Sequence, residues 1–193
     1  MNEKLFKLNP AMNKILKMIK HLKLNLFSYK TIILFSYQEE RSSVNNKLRV
    51  IKADHDSIIN LLHFESEQKY QWIRKQALTG IDLYLTFLGG QCIHRSMVSN
   101  HKHAVTFTYK FNYTLPQGAS YIHNCETAKQ FRGQKAYPST LSYIAKATKN
   151  KLYISTDQTN TASIKGIEKS GFKETNKFRV IILMGQVFIK EYN

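Results

Sequence analysis

A chain of 193 residues has room for one domain with a full core and little room for two, and 42% hydrophobic with 12% aromatic content excludes a wholly disordered polymer. Its 29 Lys and Arg against 13 Asp and Glu give a formal charge of +16, which favours polyanionic neighbours: nucleic acid, an anionic membrane face or phosphorylated ligands. Two cysteines, Cys92 and Cys125, exclude a disulfide framework and lack the C-x-x-C spacing of a zinc site, so both read as free thiols of a reducing, cytoplasmic setting.

The first 28 residues read as a basic amphipathic helix. Met12, Ile15, Ile19 and Leu22 recur at helical spacing, with Leu16 and Leu26 widening the stripe, while Lys14, Lys17, Lys20 and Lys23 interrupt any longer apolar run. That interruption excludes a membrane span, which needs roughly 18 apolar residues, and argues against a signal peptide. The helix either packs on its own domain or lies on a partner or an anionic membrane surface, there on the inner face.

Thr31–Tyr37, a β-branched and aromatic run, predicts the first strand, at a sheet edge or in its interior. Leu48–Ile51 is a second short apolar run. Asp54 or Asp56 then caps a helix carrying Ile58, Leu61 and Leu62, and a further helix places Tyr70, Ile73 and Ala77 on one face with Gly80 as its stop. From Ile81 the period changes to two. Ile81, Leu83, Leu85 and Phe87 lead into Gly89-Gly90, a tight-turn signal, and Gln91–Val98 returns as the partner strand. Ala104–Tyr113 alternates strictly, with Val105, Phe107, Tyr109, Phe111 and Tyr113 on one face, and predicts a single half-buried strand. After the Pro116-Gln117-Gly118 turn, Ala119–Glu126 reads as a strand.

A basic loop, Gln130–Tyr137, follows. It offers Arg132, Lys135 and the flexible Gly133, and Pro138 fits the first position of a helix reaching Thr148. The free amides at such a helix start, with the positive end of its dipole, suit a pyrophosphate. Leu152–Thr156 predicts a strand, Asn160 caps a second helix with Ala162, Ile164 and Ile167 on its face, and Gly171 ends it. Val180–Leu183 and Gln186–Tyr192 close the chain as strands around Gly185.

Over roughly Ile81–Tyr192 these residues resemble the GNAT superfamily of acyl-CoA-dependent acetyltransferases. The pyrophosphate loop of that family reads Q/R-x-x-G-x-G/A, against Arg132-Gly133-Gln134-Lys135-Ala136-Tyr137 here, and a branch reading RGKGIYP matches at Gly133, Tyr137 and Pro138. Lys135 departs from both patterns. Asn160-Thr161-Ala162-Ser163 followed by Glu168-Lys169-Ser170-Gly171-Phe172 resembles the more specific N-x-A-S…E-K-x-G-F segment.

The resemblance implies an α/β fold over residues 29–193: a mixed, mostly antiparallel sheet flanked by helices on both faces. It implies direct transfer of an acetyl group from acetyl-CoA to the amine or hydroxyl of a small-molecule acceptor within a ternary complex. Cys125, Thr127, Arg132, Gly133, Gln134, Lys135, Ala136, Tyr137, Asn160 and Ser163 are then the expected cofactor contacts. Glu126, at the end of the cofactor strand, is the expected base, with His123 as its rival on the opposite face. Ile167 stands where many relatives carry a tyrosine, so thiolate protonation must come from elsewhere. Cys125 has no Ser/His/Asp partners for a nucleophilic role. His101 and His103 share a strand face near His94, yet no thiol or carboxylate joins them at ligand spacing, and no metal centre is expected. The alternative function is a catalytically degenerate protein of the same fold, binding nucleic acid or an anionic membrane through its surplus charge.

Overall fold

The computed structural model describes residues 26–38, 45–100, 104–108 and 111–192; the expected N-terminal helix, His101 and His103 lie outside them. Strand β1, Phe27–Tyr37, starts earlier than its apolar run suggested, and β2 is Leu48–Lys52. The Ser57–His63 segment is a 3₁₀ helix rather than an α-helix, with the Asp54 carboxylate accepting from the Ser57 amide at 2.8 Å. Helix α1, Glu67–Ala77, is capped by Ser66 and buries Tyr70 and Ile73. Strands β3, Asp82–Leu88, and β4, Gln91–Ser99, are joined through Gly89 and Gly90, both with positive φ (56° and 84°), the pair that a tight primed turn requires.

The expected single strand from Ala104 to Tyr113 is instead a hairpin, β5 (Ala104–Thr108) and β6 (Phe111–Thr114), with Val105 opposite Tyr113 and Thr106 opposite Asn112. Directly opposed residues share a face, and up to a register shift near the turn, where Thr108 stands opposite Phe111, the partners lie an even number apart, so the alternation of the sequence conceals the reversal. Of the expected aromatic face, Val105 and Phe111 are buried and Phe107 and Tyr113 partly buried, the three rings packing around Phe178 at centroid distances of 5.6 (Phe107), 5.3 (Phe111) and 4.9 Å (Tyr113); Tyr109 lies outside the described residues.

Strand β7, Ser120–Thr127, leads through a 3₁₀ turn, Lys129–Phe131, into helix α2, Ala136–Ala147. Pro138 is therefore the third helical residue and not the first; its missing N–H still falls within the turn that has no intrahelical acceptor. Strand β8 (Leu152–Asp157), helix α3 (Thr161–Lys169), β9 (Phe172–Leu183) and β10 (Gln186–Tyr192) complete the chain. β9 runs well upstream of Val180.

Eight strands form one sheet in the order β10-β9-β1-β8-β7-β4-β3-β2. β1 lies in the interior, antiparallel to both β8 and β9. Helices α2 and α3 cover one face over Ile33, Phe35, Val98, Ile122 and Ile154. The 3₁₀ helix and α1 cover the other face around Leu83, Leu85 and Met97, and the β5–β6 hairpin extends that layer over Leu34, Tyr153 and Phe178. Burying each such side chain stabilises the fold by about 1.5–3 kcal/mol, so both layers hold the sheet in place.

β7 and β8 are the parallel neighbours. Their register runs from Ser120 opposite Leu152 to Ile122 opposite Ile154 and then stops, although both strands continue. Beyond Ile122, β7 stays with β4 and β8 stays with β1, so the sheet opens. A register shift between Arg95 and Met97 coincides with Asn124 at φ 52°, a left-handed conformation that asparagine tolerates better than most residues.

Candidate active site

At the end of β7 a cavity of about 490 Å³ is lined by His94 of β4, Cys125, Glu126 and Thr127 of β7, Phe131, Arg132, Gly133 and Lys135 of the loop, Ala136, Tyr137 and Pro138 of α2, and Asn160, Ala162, Ser163, Lys165, Gly166 and Lys169 at α3. All the cofactor contacts expected from sequence border it except Gln134, whose carbonyl turns outward to accept from Nδ2 of Asn45 at 3.1 Å.

The loop is built to present donors. Gly133 has φ 87° and no atom within 4 Å of where a Cβ would stand. Lys135 holds φ 60° immediately before α2, with no side chain capping that helix. The N–H groups of Gly133, Lys135, Ala136 and Tyr137 meet no acceptor among the described residues. Four backbone donors are thus left open at and just before the positive end of a 12-residue helix. Around them stand Lys135, Lys165 and Lys169, cations without an ion-pair partner among the described residues. Lys165 and Lys169 were missed in the sequence. Their spacing of four on the Asn160-capped helix was the available signal, since it places both on one face.

Two hydroxyl contacts hold the walls together. Thr86 and Thr140 oxygens lie 2.5 Å apart; Thr140 donates to the Ala136 carbonyl at 2.8 Å, leaving Thr86 to donate to Thr140 and pin α2 to β3. Ser170 Oγ contacts the carbonyls of Pro138 (3.1 Å) and Gly166 (2.8 Å), tying the end of α3 to the start of α2. Asn160 caps α3 by accepting from the Ser163 amide at 3.1 Å. Tyr137 reaches Ser163 Oγ at 3.3 Å, and its burial holds the phenol neutral, well above its ordinary value.

A line of polar side chains crosses the cavity floor. Ser96 Oγ donates to Cys125 Sγ at 3.2 Å, so it accepts from His94 Nε2 at 2.9 Å, and His94 Nδ1 accepts from Thr127 Oγ1 at 2.7 Å. Burial, reinforced by Arg95, pushes His94 down to about 3 and keeps its ring neutral. With both nitrogens occupied, His94 is no metal ligand. Burial pushes the Cys125 thiol up to about 11, against a nucleophilic role.

Glu126 lies at the edge of this cavity with Oε1 3.1 Å from Nη2 of Arg132. It also borders a second cavity of about 480 Å³ on the side of α1, which shares Thr127 with the first. His123 is engaged elsewhere, bonded to Ser99 Oγ at 2.8 Å and stacked on Tyr121. Ile167 is fully buried in the core and does not line the cavity.

No protein-family model and no curated protein matches this sequence. Solved structures do. A GNAT-family acetyltransferase from Colwellia psychrerythraea superposes with a TM-score of 0.57 at 14% identity, covering 86% of this chain, which spans 60% of that protein. A GCN5-related N-acetyltransferase-like protein from Streptococcus suis gives 0.54 at 14% identity, over 90% of this chain and 68% of its own. The aminoglycoside acetyltransferase AAC(6')-Iy, solved with the bisubstrate analog CoA-S-monomethyl-acetylneamine, gives 0.50 at 12% identity, over 66% of this chain and 92% of its own. With its parted parallel strands and the helix that starts beside them, the chain has the fold of the GNAT acetyltransferases.

Proposed function

We propose that this protein transfers an acetyl group from acetyl-CoA to an amine. The observation that carries the reading is the set of four open amides in the loop and at the start of α2, on residues that line the cavity beside β7 together with Arg132, Lys135, Lys165 and Lys169. Donors and cations in that number suit a ligand with several phosphate groups, and the cavity suits its uncharged arm. Acetyl-CoA supplies a thioester: the amine nitrogen bonds to the acyl carbon as the C–S bond breaks and the electron pair leaves on sulfur. Glu126 takes the proton that the attacking nitrogen sheds, directly or through one water. Tyr137, neutral at working pH, and the Asn160 side chain border the arm as hydrogen-bonding groups. Cys125 forms no covalent intermediate in this scheme, because its thiol is held protonated.

The test is titration of CoA into the purified protein, followed calorimetrically and by melting temperature. A ligand present at about 100 times its dissociation constant adds about 2.7 kcal/mol of stability, a shift of several degrees. Arg132→Gln and Lys165→Gln each weaken binding, and high salt weakens it further. A protein that ignores CoA at every concentration overturns the reading.

A further inference from the structure

Resting on the acetyl-transfer reading, we infer that the acceptor is an amine that also carries an anionic group, a carboxylate or phosphate, held by Lys69 and Lys129 in the second cavity.

That cavity is lined by Phe64, Glu65, Lys69, Arg95, Asn124, Glu126, Thr127, Ala128, Lys129 and Gln130 and meets the donor cavity at Glu126 and Thr127. An acceptor for Glu126 to deprotonate approaches from this side. Its carboxylates are already engaged. Glu65 Oε1 accepts from buried Arg95 Nε at 2.6 Å, and the Nη1 of the same guanidinium holds the Asn124 carbonyl and, at 3.1 Å, its side-chain oxygen. Glu126 is held by Arg132. Lys69 and Lys129 have no carboxylate partner among the described residues; Lys69 lies 4.1 Å from the centroid of the Trp72 ring. Burial, then the charge of Arg95, lowers the pKa of Lys69, so its ammonium is held at some cost that an arriving anion offsets. The charge pattern therefore separates two subsites. Once phosphates draw Arg132 away, Glu126 faces the amine, while the lysines face an anion. A polycationic acceptor meets two unpaired cations, Lys69 and Lys129, and only one free carboxylate, since Arg95 and Glu65 neutralise each other.

The experiment uses matched amines differing only in the anionic group: β-alanine against β-alaninamide, and 2-aminoethyl phosphate against ethanolamine, with spermidine as a polycation. Binding is read as the further melting-temperature shift of the CoA-saturated protein, and turnover as release of CoA thiol from acetyl-CoA. The expected result is a preference of about tenfold or more for the anionic member of at least one pair, the size of one charge-assisted hydrogen bond. Lys69→Gln and Lys129→Gln each reduce it, Lys69→Arg retains it, and which pair responds distinguishes carboxylate from phosphate. Equal or better binding of the neutral amines or spermidine overturns the inference while leaving acetyl transfer standing. Selective binding of the anionic amines without turnover overturns the acceptor role together with the catalytic reading and leaves Lys69 and Lys129 as an anion subsite alone.

Discussion

Arg132 of the loop and Glu126 of β7 form an ion pair across the mouth of the cleft, 3.1 Å between Nη2 and Oε1, with side chains 60% and 45% exposed. A pair so exposed contributes at most about 1 kcal/mol, and a pyrophosphate offers the guanidinium a better, bidentate partner. In the proposed reaction, donor binding is therefore coupled to release of Glu126. Glu126→Gln lowers kcat by about 10²–10⁴-fold, the usual worth of a positioned general base, while CoA affinity is kept or improved because Arg132 loses its competitor. Arg132→Gln does the reverse, weakening CoA most. Parallel titrations and steady-state rates on both variants check the split.

Lys135 holds a left-handed φ of 60° where glycine is the low-cost residue. Lys135→Gly relieves about 1 kcal/mol of backbone strain and raises the denaturation midpoint, yet removes an ammonium beside the open amides. The expected outcome is a more stable protein with modestly weaker, less salt-sensitive CoA binding. Gly133→Val, whose side chain enters open space, suffers only from its φ of 87°; it distorts the loop and loses CoA binding while the fold survives.

His94 gives a pH dependence with a definite sign. Its ring, depressed from 6.5 to about 3, stays unprotonated in the fold, whereas the unfolded chain takes up the proton below 6.5. Stability is unaffected by this group above that value and falls by about 1.4 kcal/mol per pH unit as the pH drops beneath it. Urea midpoints measured between pH 7 and 5 should show that slope in the wild type. His94→Gln, though less stable at pH 7, shows a flatter one.

Gly166 of α3 faces the ring of Tyr137 with no room for a side chain. A Cβ there stands 2.7 Å from Cδ1 of the ring. Gly166→Ala forces the ring aside, destabilises by about 1–3 kcal/mol and weakens CoA binding, because the displaced ring intrudes on the cavity. Tyr137→Phe keeps the packing and loses only the Ser163 contact. Thermal melts of the two variants with and without CoA separate crowding from hydrogen bonding.

The parts of the site legible in sequence are those set by neighbours along the chain. Asn160 as a cap, Gly133 in the loop and the helix after it are local choices, written in a few adjacent residues. Lys165 and Lys169 were equally local and were passed over. The Arg95–Glu65 pair, the line from Thr127 to Cys125 and the wedging of β1 between β8 and β9 arise only once distant strands are paired, and no periodicity encodes which strands pair. The turn within Ala104–Thr114 was hidden for a different reason: a hairpin with even-spaced partners preserves the alternation of a single strand.

Release of free CoA thiol from acetyl-CoA, measured with and without an amine panel and paired with mass detection of the acetylated amine, tests the central claim most directly. Amine-dependent thiol release, lost in Glu126→Gln and accompanied by stoichiometric acetylated product, is the predicted result. No thiol release above background with any amine, and no acetylated product, from a cooperatively folded protein would contradict it: the fold would then serve the binding of nucleic acid or an anionic membrane through its basic surface.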